Sequence, residues 1–454
     1  MAQTGGGLLN WAGSHTFRAA RVHRPETVAQ VQEIVAGSRH VRAVGSRHSF
    51  HDIADTAGDL VSFERLNRVV ALDRARRTVM VEAGIRYGDL GRALDAEGFT
   101  LHNFASLPHI SVAGACATAT HGSGDRNGNL ATAVREIDLV TASGETVTLS
   151  RERDGERFLG AVAGLGALGL VTRLTLAIEP AFQVRQYVYL DLPVDEMDAH
   201  FAAIMGSAYS VSLFTDWTEP RINQVWLKHR VTDEESDAAS SRSAGTGTSA
   251  GARRSGAGGV VGEAAAGAAA FFGATPAPTK VHPLVSLSPD PCTEQLGIPG
   301  PAHTRLPHFR LEFTPSSGAE LQSEYFVPRR HAMAAFHAVH RLREQIVPRL
   351  MMSEVRTIAA DELWLSPQYR RESVALHFTW VLDTPGVVAL LPALEARLAP
   401  FDARPHWGKL FTTPHARLRE LYPRLPDFIA LQRAMDPQGK FGNDFLQKYV
   451  LGER

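Results

Sequence analysis

From Ser111 to Gly124 almost every residue is Gly, Ala, Ser or Thr: Ser-Val-Ala-Gly-Ala-Cys-Ala-Thr-Ala-Thr-His-Gly-Ser-Gly. Side chains this small let another body come up against the backbone. Two bodies fit at this point. One is a ligand: consecutive free N–H groups form an anion-binding concavity, and a pyrophosphate is the natural guest. The other is a neighbouring piece of the chain against a tightly packed small-residue helix. The pattern Gly-x-Gly-x-x-Gly, following a strand and opening a helix, is absent, which argues against an ordinary nicotinamide dehydrogenase.

A second constraint is Val41-Arg-Ala-Val-Gly-Ser-Arg-His-Ser-Phe50. Val41 to Val44 reads as a buried strand. Gly45 breaks it, because a chain turning sharply beside a ligand needs a residue without Cβ. The polar loop Ser46, Arg47, His48, Ser49 then aims one imidazole and several backbone N–H groups outward. Alone, this is equally a surface turn bearing one of nineteen histidines. A third stretch, Gly164-Leu-Gly-Ala-Leu-Gly-Leu-Val-Thr172, is a Gly-rich turn entering a strand. There the Val171 backbone can pair with a heterocycle edge, or simply begin a strand.

At 454 residues the chain is too long for one core, and two domains are expected. Thr27 to Gly37 reads as a helix, with Val28, Val31, Ile34 and Val35 on one face and Thr27 as cap. Asp59 to Phe63, Val69 to Leu72 and Thr78 to Glu82 read as strands. Tyr87, Leu90 and Leu94 mark a helix ending by Gly98, and Ile137 to Thr141 with Thr146 to Leu149 form a hairpin. The pattern is α+β, without regular βαβ alternation. From Gln183 to Leu190, Asn223 to Arg230 and Phe309 to Phe313 polar and apolar residues alternate as in half-exposed antiparallel strands. Met333, Phe336, Val339 and Leu342 have helical spacing, so an antiparallel sheet with covering helices begins near Pro180. Thr232 to Thr279, rich in Ala, Gly and Ser, reads as a flexible surface insertion.

Lys plus Arg number 47 against 48 Asp plus Glu, which leaves no electrostatic footprint for nucleic acid or an anionic membrane. No apolar run reaches the roughly 20 residues of a membrane helix. Cys116 and Cys292 have neither metal-ligand nor disulfide-framework spacing, so no metal is expected. Met1 to Ser14 shows no signal-peptide pattern, and a cytoplasmic monomer is the expectation.

Within the antiparallel region, Glu354 and Arg356 lie two apart, as do His377 and Thr379, so in strands each pair shares a face. Gln322 stands in Glu-Leu-Gln-Ser-Glu-Tyr. One sheet face presenting Gln, Glu, Arg, His and Thr suits a polyhydroxylated substrate, because each buried hydroxyl demands a partner. A solvated sheet face is the plainer alternative. In Arg404-Pro-His-Trp-Gly-Lys409 a cation and an imidazole flank a rigid aromatic.

Taken together, Gly-Ser-Arg-His-Ser-Phe, Ala-Ser-Leu-Pro-His-Ile-Ser-Val-Ala-Gly, Thr-His-Gly-Ser-Gly, Glu-Leu-Gln-Ser-Glu-Tyr, Glu-Val-Arg and His-Trp-Gly-Lys resemble the vanillyl-alcohol-oxidase superfamily of flavoproteins. Within it they are most similar to the bacterial alditol (xylitol) oxidases. The resemblance covers nearly the whole chain except the insertion. It implies a two-domain α+β fold: an FAD-binding part at 1–180, a substrate or cap domain at 181–409 with the insertion at about 232–279, and a C-terminal return at 410–454. It implies a single covalent link from His48 to the flavin 8α-methyl carbon, since some relatives make a second link through a cysteine near the position of Ser106. The implied FAD contacts are Arg42, Ala43, Val44, Gly45, Ser46, Arg47, His48, Ser49, Ser106, Ser111, Gly114, Thr118, Ala119, Thr120, His121, Val171 and His406. Many relatives have Gly where this chain has Arg47, which leaves the loop geometry open.

The implied reaction is oxidation of a terminal CH–OH of an alditol to the aldose, with hydride passing to flavin N5 and dioxygen leaving as hydrogen peroxide. Arg356 and Lys409 would stabilise the developing alkoxide. His377 is the candidate proton acceptor. Glu354, Gln322, Ser106 and Thr379 would hold the other hydroxyls, and Ala105 would leave oxygen a route. An aldonolactone oxidase or dehydrogenase of the same superfamily is the alternative. A flavin-binding protein without activity is a second, and the set Gln322, Glu354, Arg356, His377 and Lys409 argues against it.

Overall fold

The computed structural model describes residues 3–4, 7–231, 270–313 and 319–453. Most of the expected insertion lies outside the described residues. Its last ten positions do not: Thr275–Pro276 pairs into the large sheet, so the insertion reading ran too far.

The first sheet holds β1 (Gln3–Thr4), β2 (Arg21–His23), β3 (Val41–Val44) and β4 (Asp59–Ser62), in the order β1-β2-β4-β3, with β2 and β3 both parallel to β4. Helix α1 (Val28–Gly37) buries Val31 and Val35, and Thr27 caps it by accepting from the Gln30 N–H. A second, antiparallel sheet holds β5 (Val69–Asp73), β6 (Thr78–Glu82), β7 (Val134–Val140), β8 (Thr146–Ser150) and β9 (Leu170–Ala177), in the order β5-β6-β9-β7-β8. Between β6 and β7 run α2 (Tyr87–Ala96) and the short α3 (Val112–Ala117). Every element read from the sequence in this region is present, with ends within a few residues.

The large sheet is antiparallel. Its strands are β10 (Gln183–Pro193), β11 (Ser210–Thr215), β12 (Arg221–Arg230), β13 (Thr275–Pro276), β14 (Gly300–Pro301), β15 (Glu320–Pro328), β16 (Leu350–Ile358), β17 (Ser373–Val381) and β18 (Arg404–Pro405). Their order is β13-β10-β12-β11-β16-β17-β15-β18, with β14 also on β10. Phe309 to Phe313 is not a strand; only an isolated bridge joins Phe309 to Cys292. Asn223 to Arg230 is a strand, but its middle is buried on both faces rather than half exposed. Two faces explain this. Val355, Leu376, Phe378 and Trp380 point one way, into a core shared with Phe336 of α4 (Ala332–His340) and Leu391 and Leu394 of α5 (Thr384–Leu398). Each such side chain contributes roughly 1.5–3 kcal/mol by leaving water. The opposite face carries the polar residues and meets Ser106, His121 and His308.

Residues 436–445 return to the first sheet. Val41 N–H donates to the Lys440 carbonyl at 3.0 Å, and Asn443 Nδ2 donates to the carbonyls of Asp52, Ile53 and Asp55. Arg42 Nη1 reaches the Phe441 carbonyl at 2.8 Å across 399 positions of sequence. The rest of that guanidinium binds the carbonyls of Gly166, Ile53 and Leu165. Arg42 is therefore a brace between three segments, and it also lines the cleft beside the β3 loop.

Candidate active site

A single long cleft runs from the β3 loop to the polar face of the large sheet, with about 2130 Å³ of empty space, part of it open to solvent. At one end the chain is pared to backbone. A Cβ on Gly45 would lie 2.1 Å from Ser111 Oγ. The two loops are stitched reciprocally: Ser111 N–H donates to Ser46 Oγ at 3.0 Å, and Ser46 N–H to Ser111 Oγ at 3.3 Å. The small-residue run both packs and lines the cleft. Val112 to Ala117 form a short packed helix, while Gly114, Thr118 and Thr120 line the cleft. Ala43, Val44, Ser49, Val171 and His406 line it too. Ala119 does not: it is fully buried with φ 51° and turns the chain behind the lining. Arg47 takes φ 62°, a left-handed conformation that favours glycine and explains why Gly serves there in relatives. Here the conformation is held by two contacts: Trp11 N–H donates to the Arg47 carbonyl, and Arg47 Nη1 to the Leu9 carbonyl.

His48 lies inside this end of the cleft. Neither ring nitrogen has a partner in hydrogen-bond geometry, and Trp11 stacks on the ring at 5.1 Å. Burial, helped by His109, pushes its pKa down to about 4, so the imidazole is neutral and nucleophilic near neutral pH. Buried polar atoms are rarely left orphaned, so a group is expected against this ring. An orphaned imidazole, a cradle of small residues and a helix start within one cleft fit a dinucleotide with a reactive ring at its end.

At the other end the period-2 rule holds. Glu354, His377 and Glu324 form one cross-strand row; Met352, Thr379 and Gln322 form the next. Lys409 enters from the loop after β18. Its ammonium donates to Glu324 Oε2 at 2.7 Å and to His377 Nδ1 at 2.8 Å. The lone pair of Nδ1 is thereby engaged, so Nε2–H donates to Thr379 Oγ1 at 3.1 Å. Arg356 donates to Glu324 at 2.9 Å and to Ser106 Oγ at 3.2 Å, and its Nε lies 3.4 Å from Glu354. Burial and Lys409 bring His377 down to about 4. Burial pushes Glu324 up, but Lys409, His121 and Arg356 outweigh it and hold the carboxyl well below its usual range.

The sequence reading brought Ser106, Gln322, Glu354, Arg356, His377, Thr379 and Lys409 together, and all line the cleft. It missed Glu324, although that residue is two positions after Gln322 and so on the same face. It also missed that His121 Nε2 lies 3.2 Å from Glu324, which ties the small-residue loop to the sheet. His308, on Glu354, and Lys228, behind it, had no signal in spacing. Among the described residues no group of His, Cys, Asp and Glu could hold a metal ion, and no helix is long and apolar enough to cross a membrane.

Residues 19–150 match the FAD binding domain family, and residues 319–449 match the D-arabinono-1,4-lactone oxidase family. An alditol oxidase from a Streptomyces sp. is 48% identical over 449 residues, covering 98% of this chain and 99% of that one. An L-gulono-1,4-lactone dehydrogenase from Mycobacterium tuberculosis is 28% identical, covering 98% of each. Among solved structures, a cholesterol oxidase from B. sterolicum superposes with a TM-score of 0.75 at 15% identity, covering 99% of this chain and 97% of that one. That likeness is one of fold.

Proposed function

The chain belongs to the family of FAD-linked alditol and aldonolactone oxidases, and on that premise we propose that it oxidises a terminal CH–OH of an alditol to the aldose. The observation that carries the reading is the convergence of Gln322, Glu324, Glu354, Arg356, His377, Thr379 and Lys409 on the cleft that also holds His48. FAD, when bound, would supply the hydride acceptor and a route for the electrons to dioxygen.

The residues do the rest. Gln322, Thr379, Ser106 and Glu354 take up the hydroxyls beyond C1 and orient the reacting carbon. Lys409 and Arg356 face the oxygen as it becomes an alkoxide; fixed cations in a dry cleft act there without reorganisation. As Lys409 gives a proton to His377 Nδ1, the freed amine takes the proton of the hydroxyl. The burial-lowered pKa of Lys409 eases that transfer. Residues 1–180 with 410–454 make up the cofactor-binding part, and 181–409 the cap. Two free, buried cysteines support a reducing compartment, hence a cytoplasmic enzyme, read here as a monomer.

Peroxide formation separates the two activities. Xylitol or sorbitol should give peroxide at a far higher kcat/KM than gulono- or galactono-lactone; the reverse order would move the assignment to the lactones. We also assign a single covalent bond between His48 and the flavin, supported by the two partnerless ring nitrogens and by Ser106 in place of a cysteine. Acid-precipitated protein should stay yellow, and His48→Ala should release all its colour to the supernatant. Colour released from the parent protein would remove the bond and leave the flavoprotein.

A further inference from the structure

Behind Glu354, away from the cleft, lies a lysine with no part in the chemistry above. Lys228 on β12 is 1% exposed. Its three N–H groups have three acceptors: the Leu306 carbonyl at 2.5 Å, the Pro307 carbonyl at 3.1 Å and His308 Nδ1 at 3.0 Å. An ammonium has three donors and no acceptor, so the set is complete. His308 Nε2 then must carry the remaining ring hydrogen, and it stands 2.8 Å from Glu354 Oε1. The ring is wedged edge-on between Phe214 and Trp226, and the His308 backbone N–H holds the Ser106 carbonyl.

We propose that Lys228 and His308 are positioning residues for substrate: the buried ammonium fixes the imidazole tautomer, and the imidazole holds Glu354 ionised and aimed at an alditol hydroxyl. This rests on the alditol reading of Glu354. Moving the shared proton from Lys228 to His308 changes nothing at the carboxylate, since Nε2–H donates in both states. Burial lowers Lys228 to about 7 against the pull of Glu354 and Cys292, and burial with Lys228 holds His308 at about 4. Arg356 is the remaining charge that faces the pair. Without the ammonium, neutral His308 can place its hydrogen on Nδ1 and turn a lone pair on Glu354. It then serves Glu354 fully only as an imidazolium.

The concentration dependence of anaerobic flavin reduction, followed from pH 6 to 8.5, separates alditol Kd from the limiting rate. His308→Leu should raise Kd about tenfold with the limiting rate within about threefold, as for loss of one hydrogen bond to a charged group. His308→Gln, which keeps a donor, should stay near the parent. Lys228→Met should match His308→Leu at pH 8.5 and recover toward the parent at pH 6, as the imidazole becomes protonated. Flavin content should be unchanged in all three. Parent-like Kd in His308→Leu and Lys228→Met, beside a raised Kd in Glu354→Gln, overturns the proposal alone. So does a Lys228→Met loss equal at every pH. Parent-like Kd in Glu354→Gln itself overturns the alditol role of Glu354, and the proposal with it. If Lys228→Met does not fold, the contrast between Leu and Gln at position 308 decides.

Discussion

Replacing Lys409 by Met lowers the limiting rate of flavin reduction by alditol about 10²–10³-fold, the cost of one preorganised group at a developing oxyanion, while bound flavin stays at the parent level. The geometry sets this expectation. Two of the three ammonium hydrogens are taken, by Glu324 and His377, which leaves one for the substrate oxygen. The Lys409 side chain is 14% exposed, against 0% for Glu324, so the free hydrogen is on the cleft side of the cluster. Arg356, held by Glu324 and Ser106, still contributes its charge but cannot take over the contact to His377 that Lys409 makes. Lys409→Arg should fail for the related reason that a planar fork cannot serve Glu324, His377 and the substrate from one atom. Stopped-flow reduction under anaerobic conditions measures the effect. A variant reduced at the parent rate would end the alkoxide role and the relay to His377 together.

Glu324→Leu is expected to lower stability by about 3–5 kcal/mol, because it leaves buried cations without their shared counter-charge. Glu324 is fully buried and touches both Lys409 and Arg356, so both lose their shared partner. The milder Glu324→Gln keeps the shape and removes the charge. Burial already pulls the Lys409 pKa down, and Glu324 is the first group opposing that pull. In the Gln variant Lys409 loses its proton at lower pH, so the alkaline limb of the rate profile moves to lower pH. Thermal melting and a pH profile of flavin reduction test the two effects; an unmoved melting point and an unmoved limb would show that Glu324 is not the hub. The acid side follows from the same carboxylates. Glu324 and Glu354 have native pKa values depressed below the unfolded value of about 4.3. Their stabilisation is present above that value and is lost as pH falls through the depressed ones.

What the sequence disclosed depended on the range of the contact. Period-2 placement of Glu354 with Arg356 and of His377 with Thr379 was legible because a strand fixes it locally. The same rule applied to Gln322 reaches Glu324, and it went unused because one polar residue already satisfied the pattern. Lys228 was hidden differently. It stands in Val-Trp-Leu-Lys-His, where an alternating strand reads as half exposed, and the carbonyls that bury it come from 306 and 307. Phe309 to Phe313 alternates like a strand, but among the described residues its backbone pairs with other segments only through an isolated bridge to Cys292 and single bonds to Ser106 and Pro291. Arg42 adjoins the loop and lines the cleft, but its bracing role was not legible, since the four carbonyls that converge on it come from distant segments.

The tie from Val41 and Arg42 to Lys440 and Phe441 has a consequence for the order of assembly. Synthesis makes the His48 loop long before the segment that braces the strand preceding it. Contacts separated by 399 positions form only after the intervening chain has been synthesised and brought its ends together, and that closure is entropically costly. Strand pairs of the large sheet whose partners lie close in sequence, such as β16 with β17, meet no such delay. The His48 loop is therefore fully braced only once the 436–445 segment has arrived, so completion of that end of the cleft is a late step of folding.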